Sequence, residues 1–234
     1  MIAIPPHIML LLLFTILWVF LFVRSQPTRR EMILIGLLGM VFTPVIYLLN
    51  ADALSATVAP TISVGHFLFS FVFAGCAAVI FQEVLGKRYR TRRTFFLKRH
   101  MQDAHWLVTI FILTVTWAWL SVLFVFLLST TAFQGLVISA LFIGMLIVSL
   151  RHDLLADAIL SAVLMSIVFF LLYEVAFFEN GPVISSEWWG VTSLPERFVA
   201  SVPLEALIWA AATGFILGPL YEYARGLRLS IAKK

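Results

Sequence analysis

Long, uninterrupted runs of apolar residues alternate along the chain with short segments that carry nearly all of the charged residues. A membrane-spanning helix needs about 20 mostly apolar residues, whereas a transmembrane β-barrel would alternate apolar and polar positions in segments of about ten. The runs here are continuously apolar, so the pattern predicts helices. Seven runs are long enough: 7–23, 31–49, 64–85, 104–127, 132–150, 154–178 and 199–222.

The composition agrees with an all-α integral membrane protein. Of the 234 residues, 62% are hydrophobic and 12% are charged, against about 45–50% and about 25% in soluble domains. A soluble enzyme, a disordered chain and a nucleic-acid binder are therefore excluded. The net charge of +4 does not point to nucleic acid, because the basic residues lie between apolar runs. With Cys76 as the single cysteine, neither an internal disulfide nor a Cys-rich metal site is expected.

The loop charges predict the orientation of the spans in the cell membrane. The first run has no basic residue before it and no small-residue cleavage site after Arg24, so we expect a true span rather than a signal peptide. With seven spans, fifteen lysines and arginines fall on one side, and only Arg197 falls on the other. Because cytoplasmic loops carry the excess of basic residues, this distribution predicts an outside N-terminus and a cytoplasmic C-terminus. We interpret the basic stretch 87–99 as a topology signal that touches anionic lipid.

A weak internal similarity suggests two parallel repeats. An offset of 139 places Gly75 on Gly214 and Glu83 on Glu222, and it places His66 on Glu205. Parallel repeats occur in membrane proteins, with sites at the repeat interface. We therefore expect a 3+1+3 arrangement. Its parts are a first three-helix repeat at 1–103, a linking transmembrane helix at 104–130 and a second repeat at 131–234.

Several acidic residues lie at predicted cytoplasmic ends of spans, beside arginine or lysine. For these residues we expect ion pairing at the lipid headgroups rather than a functional role. The residues in this set are Glu31, Glu83, Asp103, Asp153 and Glu222. Asp157, one turn inside the sixth span, is left open between the two interpretations.

Three ionisable residues on the predicted outer half are functional candidates, because an ionisable group inside a span is costly. Glu205 lies early in span seven, after the helix-breaking Pro203, while Glu174 and His66 lie near the outer ends of spans six and three. No cationic side chain is near them in sequence. We expect such an acid to stay protonated at neutral pH and to act as a proton donor.

Proline and aromatic residues add to this outer region. A break at Pro203 would leave 194–201 as an interfacial piece and put Glu205 in the first turn of the last span. Trp188 and Trp189 fit an interfacial belt. Trp117, Trp119 and Trp209 lie deeper, where aromatic faces either pack or stabilise a carbocation.

The segment Val202–Trp209, with Pro203 and Glu205, resembles the Pro-x-Glu-Glu stretch that opens a unit's last helix in the lycopene cyclase domain family. That family is the small integral-membrane type built from tandem three-helix units. The Trp-bearing loop at Trp188 and Trp189 is similar as well. The resemblance implies a carotenoid biosynthesis enzyme, an isomerase-like intramolecular lyase that cyclises the ends of lycopene.

The resemblance also implies roles for the candidate residues. Glu205 would be the acid or the cation stabiliser, and Glu174 or His66 would be the base or proton relay. Pro203 and the five tryptophans would line the site of a lipid-soluble isoprenoid. Because the reaction is redox-neutral, it requires no cofactor by stoichiometry, and we expect no metal.

Two other interpretations stay open. A small transporter or channel of the same 3+1+3 layout would use Glu174, Glu205 and His66 as a proton or cation relay. A non-catalytic member of the fold would bind an isoprenoid, which is suggested by Ala206 in place of the family's second glutamate. Each interpretation expects membrane lipid as a partner and no nucleic acid, and leaves room for a homo-oligomer.

Overall fold

The computed structural model describes residues 5–49, 63–86, 89–90, 99–177 and 198–229. Seven α-helices and four two-residue strands make up most of this part of the chain. The helices are α1 (Pro6–Arg24), α2 (Arg29–Leu49), α3 (Val64–Leu85), α4 (Arg99–Leu128), α5 (Ala132–Leu150), α6 (Leu155–Phe177) and α7 (Leu204–Arg225). The strands are β1 (Tyr89–Arg90), β2 (Phe198–Val199), β3 (Val202–Pro203) and β4 (Arg228–Leu229).

The helices confirm the predicted all-α membrane class. Among the residues that the structure describes, six helical segments are long and apolar enough to cross a membrane. They are His7–Arg24, Val64–Leu85, His105–Leu128, Phe133–Leu150, His152–Phe177 and Leu204–Arg225. The one remaining predicted run, 31–49, is helical as α2. This set of helices is that of a multi-pass membrane protein.

Helix ends follow local sequence signals. Thr131 begins α5 with a capping box, in which the Thr131 hydroxyl accepts from the Gln134 N–H and the Gln134 side chain accepts from the Thr131 N–H. Both α3 and α7 end at a glycine in the left-handed region, Gly86 and Gly226, each with a φ of 62°. A residue without a Cβ is favoured there because it adopts positive φ without strain.

The start of the last helix differs from the predicted run. The sequence predicts a span over 199–222 preceded by an interfacial piece at 194–201, but β2 and β3 form a short antiparallel hairpin and α7 begins only at Leu204. Proline at position 203 has no N–H to donate and sits as the N-cap, so it sets the first turn. Glu205 lies in that first turn, as predicted.

Helices α3 and α7 occupy the centre of the bundle, and α1 and α4 lie at its periphery. On α2, a Cβ at Gly39 would lie 2.5 Å from the backbone oxygen of Ser70 on α3. On α7, a Cβ at Gly214 would lie 2.5 Å from the backbone oxygen of Ser161 on α6. Glycine therefore lets both helix pairs pack backbone to backbone.

The two ends of the bundle carry different short structures. At one end, β1 pairs with β4, with Tyr89 opposite Leu229 and Arg90 opposite Arg228. We call this the β1–β4 end. At the other end lies the hairpin of β2 and β3, together with the first turns of α3 and α7. We call this the β2–β3 end.

Candidate functional site

The three acid-base residues predicted from the sequence lie at the β2–β3 end. Glu174, near the end of α6, accepts a hydrogen bond from the Ser201 backbone N–H at 2.9 Å and so holds the hairpin turn before α7. His66, on the first turn of α3, contacts Ser63 through Nδ1, at 3.1 Å from the backbone nitrogen and 2.8 Å from the hydroxyl. Glu205 is half-buried on the first turn of α7.

The five tryptophans that the sequence predicts to line the site fall into three groups. Trp209 stacks on Phe73 at 4.4 Å between ring centroids, and Trp117 stacks on Phe42 at 4.2 Å. Trp119 is instead 68% exposed on the outside of the bundle. Trp188 and Trp189 lie outside the described residues. Two of the five tryptophans therefore belong to the interior.

Trp117 and Trp209 line one interior pocket, with a volume of about 50 Å³. Its wall is almost entirely carbon and comes from five helices, α2 to α5 and α7. The lining residues are Leu38, Gly39, Phe42, Ser70, Phe73, Ala74, Thr114, Trp117, Leu136, Trp209, Thr213 and Leu217. We call this space the aromatic pocket. It suits a small apolar group and offers no charged side chain to it.

The candidate acid and base continue the walls of the aromatic pocket towards the β2–β3 end. On α7, Glu205 precedes the lining residues Trp209 and Thr213 by four and eight positions. On α3, His66 precedes Ser70 and Ala74 by the same spacings. Residues four apart share a helix face, so Glu205 and His66 lie one turn outward from the pocket on its two central helices.

A second group of polar residues is buried at the β1–β4 end, and we call it the polar cluster. Its members come from four helices: Glu31 on α2, Gln82 on α3, Asp157 and Ser161 on α6, and Glu222 on α7. Their exposures range from 0% for Ser161 and Glu222 to 4% for Gln82. The surrounding helices are apolar, so buried polar groups here must find partners within the protein.

Gln82 is the central donor of the polar cluster. Its Nε2 lies 3.3 and 3.1 Å from the two carboxyl oxygens of Glu31, and 2.5 Å from Oε1 of Glu222. The carboxyl groups of Glu31 and Glu222 thus converge on the same amide nitrogen. One amide group therefore links three helices at one point.

Asp157 adjoins this linkage from α6. The Ser161 hydroxyl donates to its Oδ1 at 3.1 Å, and its charge acts on both Glu31 and Glu222. A Cβ at Gly218 would lie 2.5 Å from the Ser161 hydroxyl and 3.3 Å from that same Asp157 oxygen. The bare glycine on α7 thus makes room for the Asp157 and Ser161 side chains.

Among the side chains that the structure describes at this end, only some of the expected ion pairs are present. Arg151 pairs with Asp153 at 2.6 Å, which confirms the expectation for that residue. For Glu31 and Glu222 the expectation is wrong, because the rotation of their helices turns both side chains inward onto Gln82. Glu83 is buried as well and accepts the Thr28 hydroxyl at 3.5 Å. The side chain of Asp103 lies outside the described residues.

The neighbouring arginines bind other groups. Arg29 donates to the backbone oxygens of Phe22 and Val23, at 2.7 and 3.2 Å. Arg225 donates to the Tyr221 hydroxyl at 2.8 Å and lies over the ring of Trp106. Sequence adjacency to arginine therefore misleads here, since a residue one or two positions away on a helix points in another direction.

Gln82 is the residue that the sequence reasoning missed. It directly follows the apolar run 67–81, and a single uncharged amide beside such a run does not stand out as a candidate functional residue. Two sequence features could have identified Gln82. It lies four positions before the glycine that ends α3, and acids lie near the ends of three other spans. Among the described residues, no group of three or more His, Cys, Asp or Glu side chains is arranged to hold a metal ion.

Comparisons of this chain with protein-family models, with curated proteins and with solved structures found no match.

Proposed function

We propose that the chain is a seven-span protein of the cell membrane, with its β1–β4 end in the cytoplasm. The support is the location of the basic residues: Arg24, Arg29, Arg30, Arg151 and Arg225 all lie at or beside helix ends on the β1–β4 side. Basic residues next to spans remain preferentially on the cytoplasmic side. The β2–β3 end, with Glu174 and Glu205, would then face outward.

We further propose that the helices form two parallel three-helix units joined by α4. Helices α1 and α5 both have 19 residues and begin 126 positions apart, at Pro6 and Ala132. Helices α3 and α7 both have 22 residues and begin 140 positions apart, at Val64 and Leu204. The helix bounds thus favour an offset of 140 over the 139 read from the sequence for the last pair.

The polar cluster supports the same two-unit arrangement. The 126-residue offset places Glu31 on Asp157, and the 140-residue offset places Gln82 on Glu222. All four are buried at the β1–β4 end. The β1–β4 pairing fits too, because Tyr89 pairs with Leu229, its own equivalent at an offset of 140. Two related units that meet around an axis would bring equivalent residues together in this way.

For its function, we propose a lycopene cyclase-like enzyme that closes the end of an unsaturated isoprenoid chain. The observation that carries this proposal is the aromatic pocket. Trp117 and Trp209 line an apolar space between the central helices, and the wall from α7 leads outward to the carboxyl group of Glu205. Aromatic faces attract a cation, and an apolar wall keeps water away from it.

The proposed reaction conserves atoms and electrons. Glu205 transfers a proton to a terminal carbon–carbon double bond, which breaks the π bond, forms a C–H bond and leaves a tertiary carbocation. A second double bond of the chain attacks that cation and closes a six-membered ring by a new C–C bond. Glu174 or His66 then accepts a proton from the carbon next to the new cation, which restores a double bond.

Expression in lycopene-accumulating cells, followed by pigment analysis, tests this proposal. We expect ionone-ringed carotenoid with the unchanged chain and none with Glu205→Gln, which keeps the shape of the side chain but removes the acid. Trp209→Leu should lower the yield of cyclised product at least tenfold. Trp119→Leu is the matched control on the exposed surface and should leave the yield unchanged. Unaltered lycopene beside well-inserted wild-type protein would refute the enzyme.

A non-catalytic isoprenoid-binding protein is the second candidate. The observation that favours it is Ala206, a buried alanine at the position of the second glutamate in the segment that Val202–Trp209 resembles. The same cells distinguish the two: a binding protein would co-purify with unchanged lycopene, whereas the enzyme would release a cyclised product.

A further inference from the structure

The polar cluster at the β1–β4 end takes no part in the proposed reaction, because Glu222 and Glu205 lie 17 residues apart at opposite ends of α7. At about 1.5 Å per residue, this separation is roughly 25 Å. The cluster therefore needs an explanation of its own. Burying carboxyl groups in an apolar bundle is expensive unless they are neutral or paired.

The position of Gln82 between Glu31 and Glu222 constrains the protons in the cluster. Its amide nitrogen lies 3.1 Å from Oε2 of Glu31 and 2.5 Å from Oε1 of Glu222, so the two carboxyl groups converge on one donor group. Carboxylate groups have only acceptor atoms, and the two hydrogens of the amide can serve only part of the acceptor capacity of two carboxylates. A proton on one carboxyl group supplies a further donor and removes one of the two adjacent negative charges.

A second observation points to the same proton independently of these hydrogen bonds. The side chain of Glu222 is 0% exposed, and its Oε2 accepts no hydrogen bond from any described residue. A buried carboxylate oxygen without a donor is unfavourable, because it has lost its hydration and gained no hydrogen bond in exchange. A proton on this carboxyl group removes its negative charge. The group, which lacked a donor for one oxygen, can then donate a hydrogen bond itself.

The charged side chains that the structure describes next to the pair are acids. From α6, Asp157 faces both Glu31 and Glu222 and adds negative charge. From α3, Glu83 acts on Glu31 in the same sense. The described contacts of Arg29 are to backbone oxygens of Phe22 and Val23.

The arginines at the other helix ends are similarly engaged. Arg225 contacts Tyr221 and Trp106, and Arg151 contacts Asp153 and the Leu227 backbone oxygen. On α2 and on the part of α4 whose side chains the structure describes, Arg30 and His105 are both exposed. Within the described residues, then, the groups that face the pair are acids and one amide.

We propose that Glu31, Gln82 and Glu222 form a proton-binding site in which one proton is shared between the two glutamates and joins helices α2, α3 and α7. This proposal is independent of the isoprenoid chemistry. With the proton bound, the pair carries one negative charge that Gln82 can satisfy. Without it, two adjacent negative charges face Asp157 across an apolar interior, and their repulsion separates the helix ends.

The sign of the pH dependence follows from this arrangement. The folded protein holds a proton that the separated, hydrated glutamates would release, so folding is favoured while that proton is available. Stability is therefore greatest on the acidic side and falls as the pH rises through the point at which the site loses its proton. On the proposed orientation, the site responds to the pH of the cytoplasm.

Infrared spectroscopy of the purified full chain in lipid vesicles tests the site directly, because the C=O stretch of a protonated carboxyl group is separate from that of a carboxylate. Because Glu205 is also expected to carry a proton, the titration uses the Glu205→Gln background, in which we expect a protonated-carboxyl band that disappears on alkaline titration. Glu222→Gln, Glu31→Gln and the double variant should each lose intensity equal to one carboxyl group. Asp153→Asn removes an exposed, ion-paired carboxylate and is the control that should leave the band unchanged.

Thermal unfolding over the same pH range gives the second measurement. The wild-type melting temperature should fall as the pH rises, and that of Glu31→Gln/Glu222→Gln should be nearly independent of pH. A double variant that retains the full band, or a wild-type melting temperature that is constant across the alkaline range, overturns the proposal. If the variants of the cluster do not fold, the titration of Glu205→Gln decides, since the absence of any protonated-carboxyl band in that variant refutes the site.

Discussion

The two ends of the last helix contain the same residue type in opposite surroundings. At the β2–β3 end, Glu205 is half-buried on the first turn of α7, next to a proline and above an aromatic pocket. At the β1–β4 end, Glu222 is fully buried and shares the amide of Gln82 with Glu31. The comparison teaches that arginine neighbours in sequence do not decide whether a carboxyl group is solvated; the rotation of the helix decides it.

The difference between the two ends also concerns what surrounds each acid. Glu205 continues a helix face of apolar and aromatic residues, whereas Glu222 meets polar groups from three other helices. The first arrangement suits an acid that acts on an apolar molecule, and the second suits a group that joins helices. Four sets of substitutions test this contrast, in order of decreasing expected loss.

Removing the shared donor at the β1–β4 end should have the largest effect. Gln82→Leu leaves the carboxyl groups of Glu31 and Glu222 buried without their amide donor, and we expect a loss of about 4 kcal/mol in the free energy of unfolding. Chemical unfolding in detergent micelles, followed by tryptophan fluorescence, measures this change. Gln26→Leu makes the same replacement at an exposed position and should change the stability little. Equal losses in both variants would contradict the role of Gln82.

Truncating the aromatic wall near the β2–β3 end should have the next largest effect. Trp209→Ala removes the ring that stacks on Phe73 and opens a cavity, which should cost about 3 kcal/mol. Trp119→Ala removes the same side chain from the outer surface and should cost about 0.5 kcal/mol. The difference between the two unfolding free energies is the test, and a difference near zero would show that Trp209 does not pack in the interior.

The glycine contact between α6 and α7 supports the polar cluster from one side. In Gly214→Ala, the new Cβ would lie 2.5 Å from the Ser161 backbone oxygen, so the helices must separate, at a cost of about 2 kcal/mol. Gly65→Ala, where the nearest atom is 3.4 Å away, should be neutral or slightly stabilising. Thermal melting of both variants decides; an unchanged melting temperature for Gly214→Ala would contradict the close approach.

The smallest effect is expected at the hairpin turn. Glu174→Ala removes the acceptor of the Ser201 N–H and should cost about 1 kcal/mol. Glu174→Gln retains an acceptor oxygen and should recover most of that loss. Amide hydrogen exchange at Ser201 provides the local measurement, with faster exchange in the alanine variant. Identical exchange rates in all three proteins would exclude this hydrogen bond.

The sequence predicted the helices well because their signal is local. The predicted runs 64–85 and 132–150 coincide with α3 and α5, and 7–23 lies within one residue of α1 at each end. Apolar length, glycine and capping residues determine such bounds. The start of α7 was missed by five residues, because the hairpin at 198–203 depends on pairing between two very short strands, which leave no periodic pattern in the sequence.

The polar cluster could not be predicted from the sequence because it depends on how four helices are rotated. Glu31 follows two arginines, Glu222 precedes Arg225 by three positions, and Gln82 lies 51 residues from one partner and 140 from the other. Only the packed bundle brings these residues together. At the β2–β3 end, helical spacing alone places Glu205 and His66 on the faces that continue into the aromatic pocket. That Trp117 and Trp209 lie in the interior depends on how the helices pack, so the sequence alone could not show it.

The pairing of β1 with β4 has a consequence for biosynthesis. Strand β1 follows the third helix, but its partner lies at residues 228–229 and is translated about 140 residues later. At roughly 5–20 residues per second, this delay is on the order of 10 s. During that interval the third helix is already in the membrane, but β1 has no partner strand. The bundle therefore closes only after the last helix has been synthesised and inserted.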